Sequence, residues 1–243
     1  MSLAVFAIAS VPDTETTRRL FDLHDLDDKA VSKVLFHRRK QQTGSSEDLR
    51  WDQRAIVGLS LIRQTRDGVD MQSLATGDVG ERELLEAYYA TVTEHDRLLS
   101  WDGNDGALPL IGFRSLQHEM YQPGYWSRLQ PGDWHVDLRH WLCPQGDDMP
   151  TLDETALKLG FPGMCGIGDK QIYDAWLGRE MTPVRMFTDY AVLNTFLIGL
   201  RWQLLTGQQT AETVTHYTGN LRDLLQQQGG SHLEAFLSAW SNS

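Results

Sequence analysis

The sequence predicts an α/β fold: a mixed β-sheet flanked by helices, with a helical C-terminal extension. Three observations carry this. The chain opens on an apolar, β-prone run, further strand-like segments follow early, and helical patterns dominate late. Residues 3–11 form the opening run, filled by Leu, Ala, Val, Phe and Ile and stopped by Pro12, which fits a buried central strand. Residues 27–40 carry helical spacing and end in His37-Arg38-Arg39-Lys40, and the polar stretch 41–50 reads as a loop. Residues 54–62 and 69–73 read as two strands joined across the Arg66-Asp67-Gly68 turn. Residues 81–94 form an amphipathic helix with Leu84, Leu85, Tyr88 and Val92 on one side. A short strand follows at 97–101, then a loop over 102–106, then a helix over 107–120 with Pro109 tolerated in its first turn.

Residues 121–133 are aromatic, rich in Pro and Gly, and read as irregular. A short strand leading into a helix is expected over 134–141. Helices then follow at 152–159, stopped by Gly160-Phe161-Pro162-Gly163, and at 172–178, 183–205, 210–228 and 232–240. Residues 1–205 are expected to form one domain, with 206–243 a helical extension packed on it. No internal repeat is visible.

With 41% hydrophobic and 23% charged residues, the 243-residue composition excludes a mainly disordered chain. The longest apolar run, 192–200, is broken by Asn194 and Thr195 and falls far short of the ~20 residues of a membrane span. No basic residue precedes the apolar start, so neither a signal peptide nor a membrane partner is expected. The two cysteines, Cys143 and Cys165, lack the spacing of a zinc site and read as idle thiols in a reducing cytoplasm. The net charge of −11 argues against broad nonspecific DNA coating but leaves room for a local basic groove.

Several segments together resemble a known family. They are Val5-Phe6-x-Ile8-x-Ser10-Val11-Pro12-Asp13, Phe36-His37-Arg38-Arg39, Ser100-Trp101-x-Gly103, Leu108-Pro109 and Trp134-His135-Val136-Asp137-Leu138. Gly160-Phe161-Pro162-Gly163, Val192-Leu193-Asn194-Thr195 and Arg201-Trp202-Gln203-Leu204-Leu205 continue the series. In this order they resemble predicted 3′-5′ exonucleases related to the proofreading domain of family B DNA polymerases. The resemblance implies a ribonuclease H-like fold and, in active relatives, Mg²⁺ or Mn²⁺ held by four carboxylates.

Against that pattern the chain departs at the positions the resemblance assigns to chemistry. Ala7 and Ala9 stand where relatives have Asp-x-Glu, Ala107 where they have Asp, and Ala191 where they have the late Asp. Phe187 stands where they have Tyr. Hydrolysis of this kind uses two divalent cations about 3.5–4 Å apart. Such ions need oxygen ligands, which a methyl group lacks, and Phe187 cannot orient a water as a phenol would. No cofactor is therefore expected. Gly106, Asp102 and Phe187 also depart from the pattern, which natural loss explains better than a deliberate knockout.

Asp102, Asp105 and Asp137 are the nearest acids that could substitute. Asp189 is two positions before Ala191, about 200° around a helix, and faces elsewhere. His37, Arg38 and Arg39 are candidate phosphate contacts, although basic residues also complement a helix C-terminus. Trp101 is a candidate stacking residue or a core residue. His135 with Asp137 fits a remnant acid–base pair, and alternation on one strand face also fits a structural contact. The sequence reading is an inactive exonuclease homologue binding single-stranded nucleic acid or a 3′ end, or having a regulatory role. The alternatives are an active exonuclease using substitute acids, and a protein-interaction or structural pseudoenzyme.

Overall fold

The computed structural model describes residues 2–93, 95–129, 134–144 and 149–241. A five-stranded sheet has the order β3-β2-β1-β4-β5. Its strands are β1 (Ser2–Pro12), β2 (Arg54–Gln64), β3 (Val69–Ala75), β4 (Asp96–Ser100) and β5 (His135–Asp137). β1 runs parallel to β4, and β4 to β5, whereas β2 is antiparallel to both β1 and β3. A single reversed strand in this order is the ribonuclease H-like sheet.

β1 is apolar from Leu3 to Ala9 because both its faces are covered. Leu3 and Val5 join the cluster under α9 (Thr182–Leu205), while Ala4 and Phe6 join the one under α3 (Glu81–Thr91) and α4 (Leu108–Gln117). α9 crosses the sheet closely enough that a Cβ at Gly199 would collide with Leu99. α10 (Ala211–Gln228) and α11 (Ser231–Ser241) pack behind α9, and Leu221, Leu225, Leu233 and Phe236 enter the same core as Val5 and Ile62.

The sequence missed α1 (Thr14–Phe21), a polar helix capped by Asp13, whose side chain accepts from the Thr16 N–H. α2 (Asp28–Thr43) continues past Lys40 and stops at Gly44, whose φ of 80° suits a glycine C-cap. The expected loop over 102–106 is instead a π-helical turn, Gly103–Ala107, leading directly into α4. The stretch read as irregular contains the short α5 (Pro123–Trp126) and a 3₁₀ turn, Ser127–Leu129, while 130–133 lie outside the described residues. α6 (Leu138–Leu142) follows β5 as expected, α7 (Leu152–Lys158) matches its prediction, and α8 (Asp169–Gly178) begins earlier than its predicted start.

Candidate nucleic-acid cleft

β1 and β4 pair only from Ser2↔Asp96 to Val5↔Leu99. Beyond that, β1 runs on beside β2 alone, and the chain leaves β4 through the π turn. The crevice this opens lies at the carboxyl ends of the parallel strands, the place where open α/β sheets hold ligands. It is a cleft of about 1100 Å³. Ala7 from β1, Ala107 from the π turn, and Phe187 and Ala191 from α9 all line it, although they are far apart in sequence.

Ala9 does not line the cleft. It is 1% exposed and packs with Val57, Ile172 and Val184, with Phe187 against the same cluster. The reason is close packing between β1, β2 and α9. Ala9 lies opposite Gly58, and a Cβ at Gly58 would stand 2.7 Å from Val184 Cγ1. Small residues on both strands thus let α9 settle onto the sheet here.

The acids are differently placed. Asp105 is exposed on the cleft wall. Asp102 also lines the cleft, in a left-handed conformation (φ 59°), and its Oδ1 accepts from Arg139 Nη1 at 2.6 Å. Burial, helped by the nearby Asp137 and Asp105, raises the Asp102 pKa despite this ion pair. Asp137 is buried and absent from the lining. Its carboxylate accepts backbone N–H bonds from Asp102 (3.1 Å), Asn104 (2.9 Å), Arg139 (3.0 Å) and His140 (3.2 Å). It therefore caps α6 and ties down the π turn, Oδ1 accepting three of these bonds and Oδ2 the fourth. Asp189 points away from the cleft, accepting from Ser60 Oγ at 2.5 Å and pairing with His232 Nε2 at 2.9 Å. Among the described residues, no group of three or more His, Cys, Asp or Glu could hold a metal ion.

His135 Nε2 lies 2.8 Å from Ser100 Oγ, and burial lowers its pKa to about 4, against a small opposing influence of Asp137. Gly103 presses so closely on Ser100 Oγ that an added Cβ would collide with it.

The basic residues expected at the cleft lie elsewhere. His37, Arg38 and Arg39 are on α2 and absent from the lining. Arg38 stacks on Phe21 at 4.0 Å, Arg39 Nε donates to Asp48 O at 2.8 Å, and His37 pairs with Gln41 at 2.9 Å. Trp101 does line the cleft, and it also packs on the core. The arginines that reach the cleft are Arg50, Arg54 and Arg139, joined by Trp51. The sequence reading passed over them, although the basic–aromatic spacing Arg50-Trp51-x-x-Arg54 was a visible signal.

The fold is that of a ribonuclease H-like domain with a cleft at the carboxyl ends of β1 and β4. Sequence comparison is specific: the profile of a predicted 3′-5′ exonuclease family, related to the exonuclease domain of PolB, matches residues 46–240. The chain belongs to this family. The matched span includes Trp101, Ala107, Phe187 and Ala191 but not β1 or Phe36-His37-Arg38-Arg39. No curated protein matches the chain.

Proposed function

We propose that this family member binds single-stranded nucleic acid in the cleft without hydrolysing it. The observation that carries the reading is the convergence of Ala7, Ala107, Phe187 and Ala191 on one cleft. Two-metal hydrolysis would need carboxylates there to offset the cations. The residues present do not fit such a pair, because methyl groups and a phenyl ring supply no ligand, so no step is routed through a metal. Asp102 is committed to Arg139 and Asp137 to backbone amides, which leaves Asp105 alone among the suggested substitutes. What the cleft retains suits binding: arginines for phosphate and tryptophans for bases. No helix among the described residues is long and apolar enough to cross a membrane. We place the chain in the cytoplasm on its cysteine usage.

The test is a 3′-labelled oligonucleotide incubated with Mg²⁺ or Mn²⁺. The expected result is an intact strand that is shifted in mobility even in EDTA. Progressive shortening, abolished by Asp105→Ala, would establish an active enzyme with substitute ligands. An unshifted strand at low salt would favour a protein-interaction role.

A further inference from the structure

We propose that Arg54 and Trp51 form a metal-free nucleotide subsite on one wall of the cleft, with a phosphate on the guanidinium and its base on the indole. The subsite rests on the nucleic-acid reading above and adds to it the group that takes over from a metal in holding phosphate.

Arg54 begins β2, opposite Pro12. Its Nε donates to Leu49 O at 3.2 Å and its Nη1 to Ser10 Oγ at 3.4 Å. These contacts hold a half-buried guanidinium at the cleft. The other two lining arginines are neutralised, Arg50 by a two-pronged contact with Asp52 and Arg139 by Asp102. Arg54 makes no ion pair with any carboxylate among the described residues, unlike its neighbours. A partly desolvated cation without a counter-ion is completed by an anion, and the planar fork of donors matches a phosphate.

Trp51 supplies the second, independent feature. It is 40% exposed, lies in the 3₁₀ turn Trp51–Gln53 three residues before Arg54, and lines the same cleft. Its ring makes an edge contact with Phe113, centroids 5.6 Å apart. An aromatic ring held beside a cation is the arrangement that stacks a base while its phosphate is paired. Electrostatics divide by segment. The lining acids Asp102, Asp105, Asp153 and Asp169 come from the π turn, α7 and α8, whereas residues 49–54 present Arg54 unopposed.

The experiment is fluorescence anisotropy with labelled oligo(dT) in EDTA across a salt series, using wild type, Arg54→Gln, Arg54→Lys and Trp51→Ala. Circular dichroism melts confirm that each variant folds. Unlabelled dTMP, thymidine and inorganic phosphate serve as competitors. Arg54→Gln is expected to weaken binding roughly tenfold or more and to reduce the slope of log K against log salt by about 0.7. Arg54→Lys should keep the slope. Trp51→Ala should lose about tenfold with the slope unchanged, a readout that remains if Arg54→Gln misfolds. dTMP should compete better than thymidine against wild type, and that advantage should vanish in Arg54→Gln. Binding of dTMP without the strand would assign the subsite to free nucleotides and remove the strand-binding reading. Strand binding by wild type with both variants unchanged in affinity and slope would overturn the subsite alone. Failure of wild type to bind either ligand would overturn both.

Discussion

His135 in β5 is held by Ser100 of β4, and burial lowers its pKa to about 4, against 6.5 for a free imidazole. Between these values the unfolded chain binds a proton that the folded chain does not. Stability from this group is therefore complete above about pH 6.5 and is lost as pH falls toward 4. We expect urea unfolding to give about 1–2 kcal/mol less stability at pH 5 than at pH 7. His135→Asn should flatten that dependence, and an unchanged profile in the variant would refute the assignment. Asp102, whose pKa burial raises, acts in the opposite sense. At this scale the sequence was informative where chemistry is local. The turn of Asp189 away from Ala191 followed from helix geometry and is what the structure shows. The withdrawal of Ala9 from the cleft was not readable, because it depends on Gly58 and Val184 from other elements.

The π turn, β5 and α6 act as a unit joined through Asp137. Replacing that carboxylate with an amide in Asp137→Asn removes acceptor capacity from a buried group serving four N–H donors. We expect a loss of about 2 kcal/mol and faster hydrogen exchange at the Asp102 and Asn104 amides, with the Val5 amide in the core unaffected. Unaltered exchange at both amides would show that the turn does not depend on Asp137. Strands were legible here because apolar, β-branched runs between turn residues announce them. α1 was not, since its polar sequence is held by partners in α2, with Arg18 Nη2 at 2.7 Å and Thr14 Oγ1 at 2.7 Å from Asp28 Oδ1. The π turn has no hydrophobic period to read, and the basic run ending at Lys40 resembled a helix end whose real stop is Gly44.

Across the whole molecule, the C-terminal helices belong to the core that supports the cleft. Leu221, Leu225 and Phe236 are fully buried, Tyr217 Oη donates to Thr65 O at 2.8 Å, and His232 pairs with Asp189. Deleting 206–243 should therefore abolish cooperative thermal unfolding, and a truncated chain melting like wild type would show 1–205 to be self-sufficient. The overall α/β layout was legible from the order of strand and helix patterns. The cleft was only partly so, because its walls come from β1, α9 and the segments 49–54, 100–107, 149–153 and 164–171, which no sequence period connects. The central claim is binding without metal. It is tested most directly by calorimetric titration of a short single-stranded oligonucleotide into the full chain, first in EDTA and then with excess Mn²⁺. The expected result is binding in EDTA with an affinity that Mn²⁺ leaves unchanged. No binding in EDTA, with binding restored by Mn²⁺, would contradict it.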